Sequence, residues 1–506
     1  MKLKPGNLTL SELAKFFAGD EPISLDDSCW SNVDASRDVV NQLIDRGETV
    51  YGLNTGFGLL ANQKISDEDL AQLQVNLVRS HCAGTGALIA APVVRLIMLL
   101  KLTSLARGYS GVRREVIECL MACLDKNLIP AIPAQGSVGA SGDLAPLAHM
   151  SLALIGEGHF LDGEELAPAA EMLAKHNLQP LKLQAKEGLA LLNGTQVSTA
   201  LALGALFESL RSFRAAIVAG AMSVDAAKGS DTPFDPRIHE IRNHETQILC
   251  AGLYRELLSG SKIRESHRDC SRVQDPYSLR CQPQVMGACL TSLQHAQQVL
   301  LREANAVSDN PLVFADDCSM LSGGNFHAEP VAIIADSIAI ALSEIASLSE
   351  RRVALLIDSH LSGLPAFLIE EGGLNSGFMI PQVTAASLVA ETKQMATPCS
   401  TDSLPTSANQ EDHVSMATHA ARRLWNMIDN VNNVVAIELL AACQGIDFHT
   451  PLTTSGSLQL VHQAVRKHAD FYDADRPFHT EIAAVKNSVV ADETLEAVLK
   501  IERLLV

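Results

Sequence analysis

Residues 329–357 read EPVAIIADSIAIALSEIASLSERRVALLI. The stretch is long for a globular helix, poor in proline, and mixes apolar with polar residues at helical spacing. Three further Ala/Leu-rich stretches share this character, at about 196–228, 284–306 and 413–445. Helices of this kind, packed alongside one another, make a bundle core. Strand-like runs are few and short, and no strand–helix–strand alternation is present. The expected fold class is therefore mainly all-α. Thr9-Leu-Ser-Glu12 fits a capping box that opens a first helix. Pro92 stands where a second can begin, and Val93–Leu105 follows with apolar residues on more than one face.

Working outward from the long stretches, the remaining sequence is dense in Gly, Asn, Pro and Ser. Loop segments lie at 51–58, 84–86, 133–142, 193–194, 309–311, 322–325 and 405–410. Loops on a rigid scaffold are where sites form. A change from loop-rich sequence to long helices falls near 195–200. It suggests an N-terminal domain over residues 1–197 and a helical bundle with a C-terminal helical region over 198–506.

The chain has 506 residues, 47% of them hydrophobic and 19% charged, enough for a large core. The formal charge of −19, with no long basic run, speaks against nucleic acid and anionic membranes as partners. Eleven cysteines without a CxxC pair suggest reduced thiols in a reducing compartment. The N-terminus, Met-Lys-Leu-Lys-Pro-Gly, lacks the apolar region of a secretory signal. Val331–Leu348 carries Asp336 and Glu344, so it is not an uninterrupted membrane span. The expected location is cytoplasmic.

The segment 136–147, GSVGASGDLAPL, carries the chemistry. If the amide nitrogen of Gly142 attacks the carbonyl carbon of Ala140, a five-membered ring closes. Loss of two waters, one of them from the Ser141 side chain, leaves an imidazolone with an exocyclic methylidene. Gly142 suits the attack because it lacks a Cβ and tolerates strained backbone angles. Ordinary side chains supply no comparable electrophile. Taken alone, Ala-Ser-Gly is an ordinary turn, so its meaning depends on its neighbours.

Those neighbours are distinctive. YGLNTGFG at 51–58 sets Tyr51 beside three glycines, where a phenol with a lowered pKa can act as a base. SHCAGTG at 80–86 brings His81 into a glycine loop. Gln274, Tyr277 and Arg280 are spaced i, i+3 and i+6, roughly along one side of a helical turn. Arg280 is of the type that clamps a carboxylate with two hydrogen bonds. NQEDH at 409–413 concentrates hydrogen-bonding groups where a loop meets a helix. No HExxH, GxSxG or EF-hand loop occurs, so no metal is expected.

Together with KEGLALLNGTQ at 186–196, VQDPYSLRCQPQ at 273–284, EANAVSDNPL at 303–312, SGGNFHAEP at 322–330 and SANQEDHVSM at 407–416, these blocks closely resemble the aromatic amino acid ammonia-lyases that carry a methylidene-imidazolone (MIO) group. The resemblance runs from about Leu8 to about Phe448. It implies a long-helix bundle of the fumarase/aspartase-like type, with a loop-rich N-terminal domain carrying the MIO. It also implies that Ala140, Ser141 and Gly142 form the MIO, so no dissociable cofactor is needed. Asn193 would polarise the group, with Tyr277 and Gln274 nearby. Tyr51 would be the base that removes the β-proton, and Arg280 would bind the substrate carboxylate. His81 and Glu411 would contact the substrate side chain, and Phe326 would line the pocket.

Within that family, Ser80-His81 resembles the histidine-specific pattern. A carboxylate at 411 can accept from an imidazole N–H, but facing a phenyl ring it would be desolvated without compensation. The expected reaction is deamination of L-histidine to trans-urocanate and ammonia, the first step of histidine breakdown. Tyrosine and phenylalanine are the alternative substrates. A catalytically silent helical scaffold, and a fumarase/aspartase-type lyase that needs no MIO, are the readings of other kinds. The family resemblance further implies a homotetramer whose sites are shared between subunits.

Overall fold

The computed structural model describes residues 1–19, 21–48, 53–55, 65–66, 69–163, 165–267, 273–490 and 493–505. It is mainly helical. The four long stretches form the helices Gln196–Ala226, Gln282–Ala304, Glu329–Ile357 and Ala417–Asp447. The last begins four residues later than the spacing suggested. Met416 there adopts φ +58, and Ser415 Oγ accepts from the Ala417 amide, so the helix cannot extend back through them. Helix Glu329–Ile357 is long and apolar enough to cross a membrane, yet 67% of its most apolar window is buried inside the protein, as in a core helix.

The chain forms two compact units. One comprises Met1–Gly204, Gln298–Asp336 and Pro398–Arg422, the other Ala205–Gln297, Ser337–Thr397 and Arg423–Val506. In the first unit, Thr9 and Glu12 make the reciprocal capping box that opens helix Leu10–Ala18. Helix Ala91–Leu105 starts with Pro92 in its first turn and buries every residue from Val93 to Leu105. Among the described residues, four two-stranded sheets also belong to this unit. Thr85–Leu88 pairs antiparallel with Pro133–Gln135, placing the chain after His81 against the segment that leads into Gly136.

Three helices of this unit pack on one another: Leu70–His81, Leu144–Leu154 and Glu187–Leu192. Their packing brings together residues at the helix ends. His81 ends the first, Gly142 and Asp143 precede the second, and Asn193 follows the third. The site is thus positioned by helix ends converging from a buried core.

Among its described residues, the regular elements of the second unit are helices joined by loops. At its core Glu438 is fully buried and accepts from Arg352, Ser223 and Ser349. Two guanidinium bonds and two hydroxyls satisfy a carboxylate that would otherwise be costly to bury.

Candidate functional site

Gly142 adopts φ +81, and a Cβ there would lie 2.5 Å from both the amide nitrogen and the carbonyl oxygen of Gly194. Only glycine allows this close crossing of two backbones. The crossing is fastened by the Asp143 amide, which donates to the Gly194 carbonyl at 2.8 Å. Asp143 is fully buried, and its side chain does not cap the helix that follows. One carboxylate oxygen accepts from Ser137 Oγ at 2.9 Å and Thr418 Oγ1 at 2.6 Å. The other accepts from the Ser198 amide at 2.7 Å and Ser198 Oγ at 2.9 Å. Ser415 Oγ donates to the Gly139 carbonyl, and the Met416 amide donates to the Val138 carbonyl. The 137–143 turn is therefore tied on both sides before any ligand is considered.

Asn193 is buried, and its Nδ2 donates to the Ser141 carbonyl at 2.9 Å. Its Oδ1 is buried without a hydrogen-bond partner among the described residues. Lys101 fixes the backbone behind it, donating to the carbonyls of Asn193 at 2.6 Å and Ala190 at 3.1 Å. Burial pulls the Lys101 ammonium down to about 7, with Asp309 and Asp143 opposing the shift and Lys186 adding to it. Lys186 itself is buried in an ion pair with Asp309 at 2.8 Å.

Ser141 Oγ donates to a carboxylate oxygen of Glu411 at 2.5 Å. The other oxygen accepts from Thr406 Oγ1 at 2.8 Å and Ser407 Oγ at 2.9 Å. Burial works to raise the Glu411 pKa. The hydrogen bonds from Ser141, Thr406 and Ser407, with the charge of His81, outweigh it and hold the group below the ordinary glutamate range. His81 Nδ1 lies 2.9 Å from the Leu77 carbonyl, which can only accept, so Nδ1 carries the proton and Nε2 is left to accept in the neutral ring. Phe326 is half-buried in the turn before helix Glu329–Ile357.

Ala140, Ser141, Gly142, Asn193, His81, Glu411 and Phe326 all belong to the first unit. Gln274, Tyr277 and Arg280 belong to the second. Gln274 departs from the expected helical side: the helix begins at Tyr277, and Gln274 precedes it in non-helical chain. Pro276 caps that helix and disfavours helical geometry in the residue before it, so the i, i+3, i+6 alignment breaks at its first member. Tyr277 is 70% exposed, and the Arg280 guanidinium lies over its ring at 4.6 Å from the centroid. Arg280 Nε is buried with no hydrogen-bond partner among the described residues. Tyr51 lies outside the described residues.

Residues 8–467 match the sequence model of the family described as aromatic amino acid lyase. The chain belongs to the aromatic amino acid lyase family. A relative from Legionella pneumophila (strain Lens) named histidine ammonia-lyase is 57% identical over 97% of both chains. One of the same name from Photorhabdus laumondii is 56% identical over 99% of this chain and 97% of its own. Among solved structures, histidine ammonia-lyase from Trypanosoma cruzi superposes with a TM-score of 0.91 at 37% identity, covering 100% of this chain and 96% of that one. Tyrosine aminomutase from Streptomyces globisporus gives 0.93 at 34% identity over 98% of both. The fold is thus the all-α, fumarase-like fold of the lyases and aminomutases, and the chain is a carbon–nitrogen lyase.

Sequence reading missed the residues that hold this candidate site in shape. Lys101 is one of them, although a lysine inside a helix that is apolar all round is itself a signal of a buried partner. Thr406, Ser407, Thr418 and Ser198 gave no signal, because hydroxyls are common and only folding selects which carboxylate they meet.

Proposed function

We propose that this lyase deaminates L-histidine to trans-urocanate and ammonia, without oxidation, through an MIO formed from Ala140, Ser141 and Gly142. The observation that carries the substrate choice is Glu411, a charged carboxylate held within reach of Ser141 by hydroxyls and beside His81. It suits an imidazole N–H. Against a phenyl ring it would lose hydration and gain nothing. The relatives named histidine ammonia-lyase support the same reading over nearly the whole chain.

The residues of the first unit fit the MIO. Gly142 has the positive φ and the missing Cβ that a tight ring needs, and Asn193 Nδ2 already donates to the Ser141 carbonyl. The group supplies an electrophilic methylidene for covalent catalysis. Asn193 stabilises negative charge on the Ser141 carbonyl oxygen as it develops. Glu411 and His81 hold the imidazole, and Phe326 packs against it. Tyr51 removes the β-proton, and Arg280 fixes the carboxylate so that positioning becomes rate. Tyr277 and Gln274 orient the reacting end.

The assembly is a homotetramer in the cytoplasm, with sites shared between subunits. Helix Glu329–Ile357 exposes Ile333 and Ile340, seven residues apart on one face, at 54% and 51%. Such apolar surface, together with an exposed Tyr277, suits burial by another copy. The test is product stoichiometry. Purified protein incubated anaerobically with L-histidine, without added nicotinamide or flavin, is expected to release ammonia and urocanate in equal amounts. Release of ammonia with an imidazole keto acid in place of urocanate would refute the proposal.

A further inference from the structure

One ring nitrogen of His327, one of His413 and a carboxylate oxygen of Glu329 lie within 4.8 Å of one another. We propose that these three side chains bind a divalent cation of the zinc class, outside the machinery described above. Two imidazoles and a carboxylate are the donor set of three-ligand zinc sites that keep one position open.

Two further observations point to a ligand. Glu329 Oε2 is buried and has no hydrogen-bond partner among the described residues. A carboxylate oxygen shut off from water needs a cation or a donor, and none of the described residues provides one. The second is the state of the His327 ring. Its Nε2 lies 3.2 Å from the His413 carbonyl, so Nε2–H donates and the neutral ring keeps its lone pair on Nδ1. Histidines that bind metal commonly donate their other N–H to such a carbonyl, which fixes ring and tautomer together. The two rings stand 5.6 Å apart between centroids, inclined at 33°.

Bond lengths of about 2.0–2.2 Å in a tetrahedral site imply ligand atoms roughly 3.3 Å apart. The three groups must close in by up to about 1.5 Å, and His413, which is exposed, is free to do so. The sequence concealed the site because the ligands come from two segments far apart in the chain. His327 adjoins Phe326, and His413 stands two residues after Glu411. A bound ion would therefore tie the segment carrying Phe326 to the segment carrying Glu411.

The test uses the full-length protein, stripped with chelator and equilibrated with Co²⁺ or Zn²⁺ alone. One Co²⁺ per chain is expected, with visible ligand-field absorption and no thiolate charge-transfer band in the near ultraviolet. Zn²⁺ is expected to raise the thermal midpoint of the parent protein. His413→Ala is expected to abolish the stoichiometric binding and the thermal shift, and Glu329→Gln, which removes the anionic ligand, to lose saturable binding at the Co²⁺ concentrations that saturate the parent. Because His413 is exposed, its variant is the one to compare if His327→Ala fails to fold. Absence of saturable binding, binding unchanged in His413→Ala, or a thiolate band that assigns the ion to cysteine would each overturn the proposal.

Discussion

Replacing Gly142 with alanine tests whether the 140–142 turn is shaped for cyclisation. The native φ of +81 costs a residue with a Cβ roughly 1–2 kcal/mol. The new methyl would stand 2.5 Å from the Gly194 amide nitrogen and carbonyl oxygen, where about 3.5 Å is comfortable. Relief requires the two backbones to part by about 1 Å. That movement stretches the 2.8 Å bond from the Asp143 amide to the Gly194 carbonyl, worth about 1 kcal/mol. The sum is about 2–3 kcal/mol, before any repacking around Asn193. The same movement draws the Ser141 carbonyl off Asn193 Nδ2. Intact-mass spectrometry provides the assay. The parent chain should be lighter than its sequence mass by two waters, about 36 Da, and Gly142→Ala should keep its full mass. Ser141→Ala serves as the folding control, since it adds no atoms and spares two of the three hydroxyls on Glu411. A Gly142→Ala chain that still loses two waters and turns over at the parent rate would refute the reasoning.

Three further outcomes are expected. Ser141→Ala should keep its thermal midpoint within a few degrees and lose nearly all deaminase activity; parent-like turnover would remove the need for the electrophile. Glu411→Gln should lower kcat/KM for L-histidine roughly 10- to 100-fold, the worth of a hydrogen bond to a charged group. Ring formation removes the Ser141 hydroxyl, but the hydroxyls of Thr406 and Ser407 and the charge of His81 still favour ionised Glu411, so an acid limb within pH 5–8 should persist in the variant. Burial holds the Lys101 pKa down at about 7 in the folded chain against about 10.5 for an exposed lysine, so the unfolded chain holds more protons between those values. Its contribution to stability should therefore rise as pH climbs from about 7 towards 10.5. Denaturant titrations across that window should show Lys101→Met losing this rise; an unchanged pH dependence would contradict a buried, titrating lysine.

The long helices were legible because 3.6-residue patterning over some thirty residues leaves little room for another structure. Glu329–Ile357 matched to the residue, whereas the start of Ala417–Asp447 depended on the positive φ of Met416, which side-chain pattern does not encode. Ala140-Ser141-Gly142, Asn193 and Glu411 were singled out in the sequence as residue types suited to one chemistry, and the structure brings Ser141, Asn193 and Glu411 together. The helical placement of Gln274 did not hold, because spacing was read as helical across Pro276. Of the supporting shell, Lys101 was signalled only as a charge inside an apolar helix, and the partners of Asp143, Ser198 and Thr418 were not legible. These residues act through backbone carbonyls, amides and each other, contacts that exist only once distant segments have met.

The account turns on which amino acid this lyase prefers. Steady-state kcat/KM should be measured on one preparation with L-histidine, L-tyrosine and L-phenylalanine side by side. A clear preference for L-histidine, with urocanate as product, is the predicted result. A higher kcat/KM for tyrosine or phenylalanine would contradict the role given to Glu411 and His81, and with it the account.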